Sequence, residues 1–167
     1  TRVPVSIDTA KAVVARAALE RGVEIINDVT GLAADPEMLP LALEARAGVC
    51  AMHMQGTPAT MQNNPSYHDV VEEVYDYLRT RRDSLVDAGL DASRICLDPG
   101  IGFGKTHQHN LELLRHCARF LSLGCPLLVG PSRKGFISHV LGDKLADRTA
   151  GPLGVALALA AQGVHVL

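Results

Sequence analysis

Short apolar runs recur along the chain, and each one ends in a polar or glycine-rich segment. The runs occupy residues 3–7, 22–26, 48–52, 95–97 and 126–129, and another begins at residue 163. Near-continuous apolar runs of this length are typical of strands buried on both faces of a parallel sheet. The pattern therefore predicts five strands and the start of a sixth.

Helical patterns alternate with these runs. Residues 10–21 are rich in Ala, Val and Leu, and residues 69–88 place apolar side chains on one helical face. Asp35-Pro36 is typical of an N-cap and a first helical residue, and predicts a helix toward Ala47. Two further helices are predicted from the stripe Leu111, Leu114, Ala118 and Leu121 and from the small residues of 148–161.

Alternating strands and helices indicate a parallel α/β sheet with right-handed crossovers. An open doubly wound sheet concentrates its ligand residues at one switch point, whereas a barrel draws them from many strand ends. Because every strand end here carries polar or glycine residues, we expect the (β/α)8 TIM barrel. A complete barrel takes about 250 residues. The chain has 167 and no initiating Met, so we expect one domain, 1–167, truncated at both ends.

Composition narrows the range of functions. Hydrophobic residues make up 47% of the chain and charged residues 20%, which is enough for a packed core. A net charge of −2 argues against nucleic acid or an anionic membrane as a partner. No apolar run approaches the roughly 18 residues of a membrane span. We expect a cytoplasmic enzyme domain.

Cysteine and histidine give no metal signature. The cysteines do not form C-x-x-C, and those in the predicted strands are expected to be buried; the four are Cys50, Cys96, Cys117 and Cys125. This usage favours a reducing compartment and argues against a zinc site. His107-x-His109 stands alone beside a helix start. We expect no metal ligand within this chain.

The segment Asp98-Pro99-Gly100-Ile101-Gly102-Phe103-Gly104-Lys105-Thr106 follows a predicted strand. A strand-end carboxylate followed by three glycines and a lysine predicts backbone that approaches a ligand closely. Its end mimics a P-loop, but Pro99 stands where that motif needs its first glycine. Proline has no N–H for a phosphate. A nucleotide P-loop is therefore not expected, and G-x-G-x-x-G does not match either.

Five strand-end segments together resemble the successive signatures of dihydropteroate synthase, in that family's order. They are Ser6-Ile7-Asp8-Thr9, Ile25-Ile26-Asn27-Asp28-Val29, Met52-His53-Met54, residues 98–105, and Ser132-Arg133-Lys134-Gly135. The resemblance implies a TIM barrel that condenses 6-hydroxymethyl-7,8-dihydropterin pyrophosphate with 4-aminobenzoate. The products are 7,8-dihydropteroate and pyrophosphate. It also implies inhibition by sulfonamides and a homodimer.

The resemblance and the chemistry of a pterin assign the first set of site residues. A buried carboxylate can accept two parallel hydrogen bonds from the amino-pyrimidinone edge, and Asp98 suits that role, although a loop-capping Asp is the alternative. Asn27 offers a donor and an acceptor, or else forms a turn, while its neighbour Asp28 is expected to be structural. Met52 packs on the ring or is plain core. Gly130 completes the pocket.

Catalysis and aminobenzoate binding involve a second set of residues. By resemblance Asp8 lies in the pterin pocket, where its carboxylate stabilises positive charge on the pterin methylene carbon as pyrophosphate leaves. Lys134 donates to the pterin near the approaching amine, unless it is an ordinary surface charge. Phe103 is expected to wall the aminobenzoate ring. Ser132 and the backbone N–H of Gly135 are expected near its carboxylate, with Arg133 on the same loop.

Other elements of the family have no counterpart in this sequence. They include an Asn that helps hold Mg²⁺ with the pyrophosphate, a mobile Thr-Arg-Pro-Gly loop and an Arg-x-His segment. We therefore expect Mg²⁺ to take its protein ligand from outside this chain, and the chain alone to be inactive. Two alternatives stay open: a corrinoid-dependent methyltetrahydrofolate methyltransferase, which Ser132-Arg133-Lys134 argues against, and a non-catalytic pterin-binding module.

Overall fold

Four parallel strands form one sheet in the order in which they occur along the chain. The computed structural model describes residues 3–132, 134–142 and 150–167. The strands are β1 (Ser6–Asp8), β2 (Ile25–Asp28), β3 (Gly48–Met52) and β4 (Ile95–Asp98). Each strand pairs with the next, so the order never reverses as it does in a doubly wound sheet. Sequential order is that of a barrel, as predicted.

The two remaining apolar runs extend the sheet only through isolated bridges. Leu97 bridges Leu127, and Leu128 bridges Val166, both in parallel. The sequence predicts five strands and the start of a sixth, whereas the described residues form four strands and two segments joined by bridges. Pro126 has no N–H to donate, so the hydrogen bonds to β4 run from Leu97 N to Pro126 O and from Leu128 N to Leu97 O, each 2.9 Å.

Seven α-helices fall within the described residues, and a 3₁₀ turn, Ala92–Arg94, precedes β4. They are α1 (Ala12–Leu19), α2 (Met38–Ala45), α3 (Val70–Asp87), α4 (His107–Arg115), α5 (Ala118–Leu121), α6 (Gly135–Leu141) and α7 (Ala150–Ala161). All five helical regions predicted from the sequence contain helix. The short helix α6 lies outside the five helical regions predicted from the sequence.

The stripe predicted as one helix is broken into α4 and α5. His116 leaves the helical region with φ −110° and ψ 22°. The break exposes Ala118 and buries Phe120 completely, whereas the stripe placed Ala118 on the buried face. A spacing of three and four residues fits two short helices as well as one long helix, so periodicity alone could not reveal the break.

Asp35 joins α1 to α2 rather than directly capping α2. Its Oδ2 accepts the Ala12 N–H at 2.7 Å, and its Oδ1 accepts the Glu37 N–H at 3.0 Å. These two backbone hydrogen bonds hold the pKa of the Asp35 carboxyl below its usual value. The helix begins at Met38, two residues later than the Asp35-Pro36 signal predicts.

The two faces of the sheet have different contents. Ile26, Val49, Ala51 and Leu97 point toward the helices and are fully buried in the core. The alternate residues point to the other face, because side chains alternate along a strand. In register across neighbouring strands, this second face carries the row Asp8, Asn27, Cys50 and Cys96.

Candidate functional site

Four of the predicted site residues lie on this second face, at the carboxyl-terminal ends of their strands. Asp8 of β1 is in register with Asn27 of β2, and Met52 of β3 is in register with Asp98 of β4. Gly130 follows the next bridged segment, and no heavy atom lies within 4 Å of where its Cβ would be. The strand ends therefore place two carboxylates, those of Asp8 and Asp98, together with an amide and a thioether along one edge of the sheet.

Asp98 is a buried carboxylate. Its residue is 8% exposed, and its Oδ1 accepts the Gly100 N–H at 2.7 Å. Burial raises the pKa of Asp98 to about 6, against the opposing influence of the Gly100 hydrogen bond and of two lysines, Lys105 and Lys134. Among the described residues, hydrogen bonding engages only Oδ1. Oδ2 thus remains as an acceptor for a ligand, so the loop-capping and binding roles are compatible.

The glycines after Asp98 bring two loops into contact. Gly100, Gly102 and Gly104 have φ of 69°, 86° and 61°, a region that favours glycine. A Cβ on Gly100 would lie 2.0 Å from the carbonyl oxygen of His53, and one on Gly104 would lie 2.5 Å from that of Gln55. The close approach expected toward a ligand is thus, at these two positions, an approach to the neighbouring backbone.

Lys134 lies across the glycine loop beside Phe103. Its Nζ is 4.3 Å from the centroid of the Phe103 ring, within the range of a cation–π interaction. A Cβ on Gly102 would come within 2.9 Å of the Lys134 Cδ. Partial burial lowers the pKa of Lys134, and the Asp98 carboxylate opposes that shift. Lys134 is therefore part of the cluster around Asp98 rather than a fully solvated charge.

The rest of the basic loop is more open. Ser132 is exposed, and Gly135 is the first residue of α6. A Cβ on Gly135 would lie 3.3 Å from Cε1 of His107, whose ring stacks on His139 with centroids 4.7 Å apart. Arg133, which the sequence places on the same loop, lies outside the described residues.

Two residues of the site were quoted in the sequence motifs without a role. Lys105 and His53 are only 3% and 7% exposed, and Lys105 Nζ lies 2.9 Å from His53 Nδ1. When Lys105 is protonated it can only donate, so in that state Nδ1 accepts from it. Burial, together with the Lys105 charge, lowers the pKa of His53 to about 3. The only sequence signal was a cationic residue in an otherwise apolar, glycine-rich motif.

The long loop between β3 and α3 packs against the glycine loop. The Tyr67 hydroxyl donates to the Gly104 carbonyl at 2.7 Å, and Gln62 Nε2 donates to the Gly102 carbonyl at 2.8 Å. From the other side, Asn110 Oδ1 accepts the Gly102 N–H at 2.7 Å. The loop after β4 is therefore fixed by side chains from two different elements.

Asp28 has the structural role expected for it. Its Oδ1 accepts the backbone N–H and the hydroxyl of Thr30, both at 2.8 Å, and its Oδ2 accepts the Leu32 N–H at 3.2 Å. It is fully buried and shapes the turn after β2. Its neighbour Asn27 is half-buried on the opposite face of the sheet.

His109 takes part in a helix cap. Thr106 Oγ1 accepts the His109 N–H at 3.1 Å, and His109 Nδ1 accepts the Thr106 N–H at 3.2 Å, which forms a reciprocal capping box at α4. Within residues 3–132, 134–142 and 150–167, no three His, Cys, Asp or Glu residues are arranged to hold a metal ion. None of the helices in the same ranges combines the length and the apolar character of a membrane span.

Comparisons with known proteins agree with this arrangement. The chain is 45% identical to dihydropteroate synthase of Neisseria meningitidis serogroup C over 168 residues, which are 99% of the chain and 59% of that protein. It superposes with a TM-score of 0.93 on a Yersinia pestis dihydropteroate synthase solved with a sulfonamide drug complex, at 36% identity, covering 99% of this chain and 60% of that one.

A third relative was solved with a bound pterin compound. The Xanthomonas albilineans dihydropteroate synthase in complex with 7,8-dihydropteroate has a TM-score of 0.90 and 40% identity, over 100% of this chain and 61% of that one. The chain thus spans about three fifths of the length of the relatives it matches, and its fold is that part of their α/β barrel. The sequence profile described as pterin binding enzyme matches residues 1–167, and the chain belongs to that family.

Proposed function

We propose that the protein is a dihydropteroate synthase, which joins 6-hydroxymethyl-7,8-dihydropterin pyrophosphate to 4-aminobenzoate. One observation carries the proposal: the buried carboxylate of Asp98 shares the edge of the sheet with Lys134 and with the exposed carboxylate of Asp8. Such a site offers the two acceptor oxygens of Asp98 to a flat heterocycle. It also offers the positive charge of Lys134 and the second negative charge of Asp8. The relatives supply the substrate class, since one was solved with 7,8-dihydropteroate.

In this proposal Asp98 recognises the pterin. A carboxylate accepts two parallel N–H hydrogen bonds from the amino-pyrimidinone edge, and its negative charge strengthens both. Asn27, half-buried on β2, which β3 separates from the Asp98 strand, offers its amide to the mixed edge of the ring. Met52, in register with Asp98, packs against a ring face. Gly130 leaves room for the ring because nothing fills the space at its Cβ position.

Asp8 acts on the reacting carbon. The bond from the pterin methylene carbon to the pyrophosphate oxygen breaks, and both electrons leave with the pyrophosphate. The lone pair of the aromatic amine then forms the C–N bond, and the amine proton goes to solvent. Positive charge develops on the methylene carbon between these events, and a nearby carboxylate stabilises it most at that point. Asp8, exposed at the end of β1, provides that charge.

The aminobenzoate enters beside Lys134. Phe103 provides an aromatic wall, and the Lys134 ammonium 4.3 Å from its ring lies between the two substrates. Ser132, exposed on the loop before Lys134, and the backbone N–H of Gly135 meet the aminobenzoate carboxylate. A sulfonamide, which resembles aminobenzoate in shape, competes for this part of the site.

We also propose that Mg²⁺ accompanies the pyrophosphate. The described residues do not fit a site of their own for it, because no three His, Cys, Asp or Glu side chains converge there. In this proposal its protein ligand comes from beyond this chain, as the family resemblance implies, and the roles assigned to Asp8, Asp98 and Lys134 do not depend on the metal.

A homodimer and a cytoplasmic location complete the proposal. The homodimer rests on the resemblance to dihydropteroate synthase. Four free cysteines are consistent with a reducing compartment. Size-exclusion chromatography with light scattering measures the oligomeric state, and localisation of a tagged full-length protein tests the cytoplasmic location.

The decisive experiment supplies the full-length protein with both substrates and measures two products. We expect 7,8-dihydropteroate and pyrophosphate to form in equal amounts. A sulfonamide should raise the KM for aminobenzoate and leave the rate at saturating aminobenzoate unchanged. Asp98→Asn serves as the variant expected to lose binding. Arg115→Met, a change at a surface residue that forms an ion pair with Glu112 in its own helix, serves as the matched control.

Each rival function has its own result in this experiment. Pterin binding without dihydropteroate formation, together with methyl transfer from methyltetrahydrofolate to a corrinoid, would replace the synthase with a methyltransferase. Pterin binding with neither reaction would indicate a binding module. Absence of pterin binding at every pH tested would remove the proposed function entirely.

A further inference from the structure

Lys105 is a buried lysine whose ammonium group lies among three hydrogen-bond acceptors. Its Nζ lies 2.9 Å from His53 Nδ1, 2.9 Å from the Phe103 carbonyl oxygen and 3.3 Å from the His53 carbonyl oxygen. An ammonium group has three donors, and three acceptors surround it here. One acceptor belongs to the loop after β4, and two belong to the loop after β3.

These acceptors join the same two loops that the glycines bring together. His53 N donates to the Asp98 carbonyl at 2.9 Å, and Gly100 passes directly over the His53 carbonyl. Tyr77 fixes the His53 ring from the side, with centroids 4.8 Å apart and the planes at 84°. Lys105 therefore closes a cross-link whose other members are a backbone hydrogen bond and a backbone contact.

The charged and titratable groups around the pair Asp98 and Lys105 come from several elements. Lys134 acts on both Asp98 and Lys105, and His53 and His109 respond to the charge of Lys105. The thiols of Cys50, Cys96 and Cys117 respond to the charge of Asp98. Lys134 is only half-buried, so Lys105 is the shielded cation of this set.

We propose that Lys105 is a positioning residue for pterin recognition, which ties the loop after β3 to the loop after β4 behind Asp98. It rests on the proposed function, since the ionised Asp98 is the group that accepts the pterin edge. Lys105 itself does not touch the substrate, because all of its donors are directed to protein acceptors and it is 3% exposed.

The physical need for this cation follows from the burial of Asp98. Burial raises the pKa of Asp98 to about 6, and the charge of Lys105 opposes that rise. In return the Asp98 carboxylate opposes the lowering of the Lys105 pKa, which burial brings to about 7. A neutral residue at position 105 removes the more deeply buried of the two cations, Lys105 and Lys134. Asp98 then binds its proton more tightly, and a protonated carboxyl loses one of its two acceptor sites.

The test is the pH dependence of pterin affinity in the full-length protein. We would measure the Kd of 6-hydroxymethyl-7,8-dihydropterin pyrophosphate by calorimetry from pH 5.5 to 8.5 for the parent, Lys105→Met, Lys105→Arg and the surface control Arg115→Met. The ratio of variant to parent Kd at each pH cancels titration of the ligand. A rise of about one unit in the Asp98 pKa corresponds to a loss of roughly fivefold near pH 6 and less than twofold at pH 8.5.

The expected pattern is a pH-dependent loss in Lys105→Met, partial recovery in Lys105→Arg, which keeps the charge, and no change in Arg115→Met. A loss of pterin affinity of equal size at every pH would overturn the proposal. A purely structural role of Lys105 would not change how affinity declines at low pH. If Lys105→Met does not fold, Lys105→Gln replaces it. Failure of both neutral variants to fold, with Lys105→Arg folded, would assign the cation to the fold itself and also overturn the proposal. A parent that binds no pterin would instead refute the proposed function.

Discussion

The two ends of the candidate site are built in different ways. At the ends of β3 and β4, Asp98, His53 and Lys105 are each less than a tenth exposed, and backbone or side-chain hydrogen bonds hold all three. At the ends of β1 and β2, Asp8 is exposed and Asn27 is half-buried. The ends of β1 and β2 are in register with each other, as are the ends of β3 and β4, and all four lie along the same edge of one sheet. Within the described sheet, where β1 is the edge strand, the two pairs of strand ends thus differ in the hydrogen bonds that hold their side chains.

The difference matches the two tasks in the proposed reaction. Recognition of a flat ring benefits from acceptors that are fixed before the ligand arrives, since little conformational entropy is then lost on binding. Stabilisation of a short-lived cation needs a negative charge aimed at one atom. We therefore expect changes in the β3–β4 part to alter fold and affinity, and changes in the β1–β2 part to alter rate.

The largest effect is expected from a methyl group at Gly100. A Cβ there would lie 2.0 Å from the His53 carbonyl oxygen, at a φ of 69°. Gly124 has a similar φ of 73°, but nothing lies within 4 Å of its Cβ position. Gly124→Ala should therefore cost about 1–2 kcal/mol of backbone strain alone, and Gly100→Ala more than about 4 kcal/mol. Urea unfolding of the full-length variants measures both.

Equal free energies of unfolding for these two variants would contradict the tight contact between the loops after β3 and β4. The pair is matched because both substitutions add the same methyl group at a left-handed position. Only the neighbouring backbone differs. The difference between the two variants therefore isolates the contact from the conformational strain.

The next effect concerns Asp8 and the chemical step. Asp8→Asn keeps the shape and removes the charge that stabilises the developing cation, so single-turnover rates at saturating pterin should fall by roughly 10²–10³. Affinity for the pterin pyrophosphate should change less than it does in Asp98→Asn. An equal loss of affinity in both variants, with no further loss in rate, would make Asp8 a binding residue. Near-normal rate and affinity would make it a strand-end polar residue without a catalytic role.

Asp98→Asn tests recognition directly. The new NH₂ group places a donor opposite a donor of the pterin edge, which costs roughly 2–4 kcal/mol, or a factor of about 30 or more in affinity. In the parent, the pKa of Asp98 is raised to about 6, so the carboxylate is present above that pH and affinity declines as pH falls through it. Asp98→Asn should lose this acid limb. A Kd within a few-fold of the parent at pH 8 would remove Asp98 from the pterin site.

The placement of the site residues follows from the sequence, whereas the network behind them does not. Because parallel strands alternate their side chains, an apolar run that ends in Asp8, Asn27 or Asp98 already indicates one shared edge. Asp28 was expected to be structural, and because side chains alternate along a strand it points to the opposite face from Asn27. The contact between His53 and Lys105 joins residues 52 positions apart, and its geometry depends on how two loops cross. No local pattern of residues encodes that crossing.

Two features of the fold escaped the sequence for related reasons. The stripe from Leu111 to Leu121 fits one helix or two, and only packing of Phe120 into the core favours the break at His116. The three glycines after Asp98 were expected to approach a ligand, but Gly100 and Gly104 approach backbone instead. A glycine signals a close approach without identifying what is approached.

The smallest effect is expected just outside the buried network, at Thr106. Thr106 follows Lys105 directly, but its hydroxyl is exposed and accepts only the His109 N–H at the start of α4. Loss of one N-cap hydrogen bond costs about 1 kcal/mol, so Thr106→Ala should lower the free energy of unfolding by that amount and leave pterin affinity unchanged. Asp69→Ala, which removes an exposed N-cap of α3 that accepts from Val71 and Glu72, is the matched control. A loss of pterin affinity in Thr106→Ala alone would mean that the rigid part of the site extends through the cap of α4, since the two variants remove the same kind of interaction at different distances from Asp98.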